Sequence, residues 1–145
     1  MTLKVTKTDV WLAKIQDQPG GLAKALETIA GAGANLDCVI ARRQPNKPGT
    51  GVVFVTPLKG RRPLAAASAA GFKATQRIAT LKVEGGDRPG FGAQLAQAVG
   101  AADVNMRGLT AAAIGSKFVC YLGFDNWRDA NRAATAIRAL GRKKK

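Results

Sequence analysis

One internal repetition constrains this chain more than any other feature. Laid on itself with a shift of 70 residues, Asp17-Gln18-Pro19-Gly20 falls on Asp87-Arg88-Pro89-Gly90. At the same shift Asn35, in Ala34-Asn35-Leu36, falls on Asn105, in Val104-Asn105-Met106, so the asparagine follows the aspartate by 18 residues in both copies. Two separate features that keep one spacing point to duplication of a structural unit. Further on, Val52-Val53-Phe54-Val55 matches Phe118-Val119-Cys120-Tyr121 at a shift of 66, which places a loss of four residues in the loop before the second of these segments. The division expected is 1–77 and 78–145. A unit of about 70 residues buries only about 60–65% of its unfolded surface, so two such units gain stability by packing together.

Each copy reads as the same series of elements. Val10 to Ile15 carries β-formers with partial alternation and stops at a Pro-Gly turn, as does Ile78 to Glu84. Leu22, Leu26, Ile29 and Gly33 then recur at helical intervals, which predicts a helix over 20–31, closed by Gly31-Ala32-Gly33. Phe91, Leu95, Ala98 and Val99 do the same before Gly100. Strands are expected over 35–43 and 104–113, and again over 51–57 and 117–124. A helix over 62–70 and a short strand over 72–76 complete the first copy. In the second, Ala130, Ala133, Ala134, Ile137 and Leu140 form one apolar stripe of a helix over 129–140. Only Gly141 to Lys145 remains there for a fourth strand, short and basic, whose absence would leave a sheet edge partly uncovered. The order β-α-β-β-α-β, twice, predicts an α+β chain of two ferredoxin-like modules, each an antiparallel sheet with helices on one face.

The turns carry the chemistry. Pro19 and Pro89 stand where a fixed φ suits a helix start and no N–H is needed, and Gly20 and Gly90 leave the backbone approachable. The first free N–H groups of the helix and the positive end of its dipole suit a carboxylate. Asp17 and Asp87 could accept from an ammonium group, and Asn35 and Asn105 could supply a donor and an acceptor. Together these groups match the two charged ends of a free amino acid. The same residues also have a purely local reading, in which each Asp and Asn stabilises its own turn through bonds to the backbone.

Asp-x-Pro-Gly, an apolar helix, a Gly-rich stop and an Asn opening a strand resemble the ACT domain of amino-acid-responsive enzymes and regulators. The resemblance covers roughly 9–76 and 78–145 and leaves no catalytic domain. It implies a non-catalytic regulatory protein of two ACT modules joined side by side, with an amino-acid-like effector lodged at the interface between modules. The residues it points to are Asp17, Gln18, Gly20 and Asn35, with Asp87, Arg88, Gly90 and Asn105 in the second copy. Gly21 and Leu22 are replaced by Phe91 and Gly92, so the two sites are not expected to be equivalent.

Exclusions narrow the field. The chain has no histidine, which removes Ser-His and Cys-His catalysis and His-ligated metals. Ser68 and Ser116 lie in no nucleophile elbow or phosphate loop. Neither a cofactor nor a metal is expected, and catalysis is not. Cys38 and Cys120 lack metal-ligand spacing and read as buried reduced thiols. Without a signal-like or membrane-length apolar run, the expected location is the cytoplasm. The net charge of +14 would attract polyanions. Yet residues 1–77 hold 12 basic and 4 acidic residues and 78–145 hold 11 and 5, and the dense cluster is the tail Arg142-Lys143-Lys144-Lys145, with Arg42-Arg43 and Arg61-Arg62 as smaller pairs.

Nucleic acid is therefore not the expected partner, although a basic sheet protein of RNA-binding type stands as the alternative, with Trp11, Phe54, Phe118 and Tyr121 as its candidate aromatics. A homodimer, a protein partner or a purely structural assembly role is also compatible. Val39-Ile40 beside Arg42-Arg43 offers a sheet edge for pairing.

Overall fold

The computed structural model describes residues 2–75 and 78–142. The chain opens on a strand that the repeat does not contain, β1 (Lys4–Thr8). There follow β2 (Trp11–Gln16), α1 (Gly21–Ala30), β3 (Cys38–Arg43), β4 (Thr50–Thr56), α2 (Arg61–Ala69) and the two-residue β5 (Lys73–Ala74). The second copy supplies β6 (Ala79–Gly86), α3 (Phe91–Ala101), β7 (Gly108–Ile114), β8 (Lys117–Phe124) and α4 (Trp127–Arg142). The predicted strands and helices are all found in their predicted order up to α4, with ends displaced by a few residues.

Two compact units result, and Asp9–Thr75 is the first of them. Its sheet has the order β3-β4-β2-β5 with antiparallel neighbours, the ferredoxin-like arrangement. Ala13, Val53 and Val55 alternate onto the face that meets Ile29 of α1 and Ala67 of α2, and Leu58 and Phe72 close this core. The opposite face carries Leu12, Phe54 and Ile40 in register across three strands.

The other unit joins the segment ending at Thr8 to the C-terminal half. Its sheet has the order β1-β6-β8-β7, again antiparallel throughout. The division expected at 77/78 thus differs from the one observed at the N-terminus. The place of a fourth strand, looked for in 141–145, is taken by β1, which pairs Lys4 to Thr8 with Glu84 to Thr80. Gly141 and Arg142 instead end α4, and Lys143 to Lys145 lie outside the described residues. The physical reason is that Val5 is an apolar β-former able to enter the core, at 8% exposure, whereas the basic tail has no apolar residue to bury. Space for the incoming segment is left at Gly85, where a Cβ would come within 2.6 Å of Leu3 Cδ2. Leu81, Val83, Leu122 and Phe124 pack under Leu95 of α3 and Ile137 of α4, and Ala130, Ala133 and Ala134 let α4 lie close.

The duplication persists in backbone detail. Gly33 and Asp103, again 70 apart, both take a left-handed φ (96° and 60°) just after the helices. The next N–H bonds back in both copies, Ala34 to the Ile29 carbonyl at 3.1 Å and Val104 to that of Val99 at 3.3 Å. Of the two cysteines Cys120 is buried and Cys38 only half-buried. Phe118 is core, while Trp11, Phe54 and Tyr121 are half-buried. Register places Phe54 and Tyr121 on the outer faces of different sheets, each the single aromatic there among the described strand residues. The pair of stacked aromatics that an RNA-reading sheet needs is thus not assembled on either one.

Candidate functional site

Both Asp-x-Pro-Gly segments form the turn between a first strand and its helix. Gly20 and Gly90 occupy the N-cap positions of α1 and α3 with φ of 84° and 81°, the left-handed region in which glycine is least strained. Neither helix has a side-chain cap, and neither has an acidic residue in its first turn. The turns close through their own backbones: Gly21 N–H donates to the Gln18 carbonyl at 3.0 Å, and Phe91 N–H to that of Arg88 at 3.3 Å. The following N–H groups have no acceptor within the helix, as in any first turn. Pro19, Gly20, Pro89 and Gly90 are exposed, and a Cβ built on either glycine would meet nothing within 4 Å. The helix starts are open to an anion rather than roofed by side chains.

The carboxylates differ between copies. Asp17 accepts from Arg43 Nε at 2.5 Å, while its N–H donates to the Gly49 carbonyl at 3.0 Å. That pairing follows from topology, since β2 and β3 end side by side across the start of β4. Asp87 anchors its backbone likewise, N–H to the Ser116 carbonyl at 2.9 Å, yet no ion pair engages its carboxylate among the described residues. Arg88, counterpart of the exposed Gln18, is committed elsewhere. Its guanidinium lies 5.3 Å from the Phe91 ring centroid and donates to Gln94 Oε1, with a buried Nε that has no partner.

The first-turn residues explain the rest of the difference. A Cβ at Gly21 would stand 2.2 Å from the Gln16 carbonyl oxygen, so this turn admits no side chain there. In the second copy Phe91 occupies the equivalent place, 1% exposed and edge-on to Phe118 with centroids 4.9 Å apart. The unlike helix starts expected from Gly21-Leu22 and Phe91-Gly92 are therefore packed differently.

The asparagines lie elsewhere. Asn35 and Asn105 are exposed and precede the opening residues of β3 and β7, whereas the aspartates follow the closing residues of β2 and β6. Register puts these at opposite ends of each sheet, because the ends of β2 and β3 that lie nearest Asp17 are Gln16 and Arg43. A strand of six or seven residues spans roughly 20 Å. No single module can therefore present both its aspartate and its asparagine to one ligand of amino-acid size. The signal is in the sequence: ten helical residues at about 1.5 Å each carry the chain about 15 Å from the turn before the asparagine is reached. Arg43, which engages Asp17, stands out in the sequence only as half of a basic pair.

No family model matches the sequence, and a search of curated proteins gives no significant match. Solved structures do match. The ligand-free regulatory subunit of aspartate kinase from Thermus thermophilus superposes with a TM-score of 0.66 at 20% identity, over 100% of this chain and 98% of that one. Protein BT0572 from Bacteroides thetaiotaomicron gives 0.77 at 12% identity, over 94% and 90%. Aspartokinase III of E. coli, in complex with aspartate and ADP, gives 0.62 at 14% identity, over 98% of this chain and 33% of that longer one. These likenesses establish the fold, two ferredoxin-like modules in one chain.

Proposed function

We propose that this chain is a non-catalytic regulatory protein that binds a small amino-acid-like effector at its Asp-x-Pro-Gly turns. One observation carries the reading: two helix starts, 70 residues apart, are both capped by a left-handed glycine and exposed, with an aspartate three residues before the glycine. Backbone N–H groups would take the α-carboxylate and the aspartate the α-ammonium. The likeness to regulatory subunits of aspartate kinase supports a regulatory role, and the absence of histidine agrees with it. No group of three metal-ligating side chains occurs among the described residues, and no helix there is long and apolar enough to cross a membrane. The reading includes a homodimer in the cytoplasm.

The two turns are not equal in this proposal. Arg43 already occupies the carboxylate of Asp17, so Asp87 is the ammonium acceptor. A thermal-shift screen of the twenty amino acids against the full chain should find at least one that raises the melting temperature, because a ligand specific for the native state adds RT ln(1 + [L]/Kd) to stability. Asp87→Asn should then weaken that ligand roughly tenfold or more, as expected for loss of a charge-assisted bond, while Asp17→Asn changes it little. A screen without any shift, or an Asp87→Asn protein that binds as the parent does, would refute the assignment.

A further inference from the structure

We infer that the exposed face of α4 is a docking surface for the phosphate backbone of duplex DNA, bound without regard to sequence. In the sequence the positive charge is spread over both halves. The fold gathers part of it. With about 100° between successive residues, Ala130, Ala133, Ala134 and Ile137 form the buried side of α4, and Arg128, Arg132, Arg138 and Arg142 fall together on the opposite side, all exposed. β1 runs beside this helix and brings in an exposed lysine from the far end of the chain. Lys7 Nζ lies 5.4 Å from the Trp127 ring, and Arg138 donates to the Val5 carbonyl at 3.2 Å.

The arrangement is not what a merely solvated helix needs. Arg128 with Arg132, and Arg138 with Arg142, are like charges at i,i+4, which work against the helix instead of supporting it. The helix has one acidic residue, Asp129, and it is occupied at the N-terminus, where its N–H donates to Asn126 Oδ1 at 2.8 Å. Asp125, just before the helix, lies 3.4 Å from Arg107. Arg132 and Arg138 are each held by a bond to a backbone carbonyl, of Ala102 and Val5, which fixes their direction and leaves further donors free. Among the described residues no hydrogen bond or ion pair engages the side chain of Arg128 or Arg142.

Several facts select duplex DNA among polyanions. The cationic groups on the helix are all arginine, whose planar fork matches phosphate. The face spans about 21 Å from Arg128 to Arg142, along which a duplex presents a charge every 1.7 Å or so. A helix about 10–12 Å across fits the major groove of B-form DNA, whereas the deep, narrow groove of duplex RNA does not admit side chains. Trp127 at the border of this face is half-buried against the core with Lys7 over its ring, so single strands find no row of free stacking platforms. The apolar side of α4 is spent on the core, so the helix has nothing to insert into a lipid surface.

The test is fluorescence anisotropy of the full chain with a mixed-sequence duplex of about 20 base pairs at several salt concentrations. Each phosphate neutralised contributes about 0.9 to the slope of log K against log salt. Arg128→Gln with Arg142→Gln should lower that slope by about 1.8 and weaken binding at least tenfold at low salt. Arg128→Lys with Arg142→Lys, which keeps the charge, should restore most of the slope. Arg61→Gln with Arg62→Gln, which removes the same charge from another helix, should leave the slope as it is. The inference is overturned if the Arg61/Arg62 pair weakens binding as much as the α4 pair, which would mean net-charge attraction. It is equally overturned if the duplex does not bind, or if polyglutamate or a single strand of the same length binds as tightly.

Discussion

At the residue scale, burial sets the chemistry of Cys120 as firmly as geometry sets that of the turns. Its side chain is 0% exposed on β8, and desolvation pushes the thiol up from 9.0 to about 12. The unfolded thiol loses its proton near pH 9, while the folded one keeps it until about pH 12. Between these values the unfolded chain binds fewer protons, so this group lowers stability as pH rises, by at most about 1.4 kcal/mol per pH unit, and contributes nothing below pH 9. Cys120→Ala will cost stability at pH 7 through the cavity it leaves. That deficit should shrink as pH climbs from 9 to 11, measured as the difference in unfolding free energy between parent and variant. A deficit independent of pH across that range would show that the thiol is not desolvated in this way. Gly33 and Asp103 show a different constraint, in which one left-handed position after the helix is met by two residue types suited to it.

At the scale of elements, the informative strand is β7. It lies at the edge of its sheet, carries no charge and exposes six of its seven residues, with Leu109 at 43% and Ile114 at 69% exposure. Edges that remain unpaired are usually guarded by charge, as β3 is by Arg42 and Arg43. The edge first suggested by Val39-Ile40 is thus the guarded one, and β7 is the better candidate for pairing two chains. Ala112→Lys with Ile114→Lys, both on the face turned from the helices, should weaken the proposed dimer tenfold or more in sedimentation velocity, while Val39→Lys leaves it intact. A dimer indifferent to the β7 lysines would exclude this edge. The elements themselves were largely legible, because alternation in β2 and β8 and the apolar stripe of α4 depend only on local periodicity. α4 starts two residues before the expected 129, since Asn126 acts as its cap and the stripe begins only at Ala130. The turns were legible too, because Pro and Gly fix their backbones locally. The Arg43–Asp17 pair and the distance between aspartate and asparagine were not, for both depend on strand direction across a whole sheet.

At the scale of the molecule, the chain is two modules of which one interrupts the other: Asp9–Thr75 is inserted between β1 and the remainder of its sheet. The repeat could not reveal this, since β1 precedes the duplicated pattern in sequence yet fills in its sheet the place that β5 fills in the other. The consequence is that the second copy does not hold its own complete sheet. Without β1 the β6 edge is bare, and the core loses Val5 and the Leu3 side chain that packs beside Gly85. Burying a valine contributes about 1.5–3 kcal/mol, a large share of what a unit of this size commands. Val5→Asp in the full chain should therefore destabilise the C-terminal unit by at least about 3 kcal/mol, because a carboxylate would enter an apolar site, and leave the Asp9–Thr75 unit unaffected. Hydrogen exchange resolves the two: amides of β6 and β8 should lose protection while those of β2 and β4 keep theirs. A fragment 78–145 should be unstable or associate through its open edge, and a peptide carrying residues 2–9 should restore its fold by adding the missing strand. If 78–145 folds alone with the stability of the parent unit, β1 is dispensable to it, and the boundary at 77/78 expected from the repeat marks a self-sufficient module.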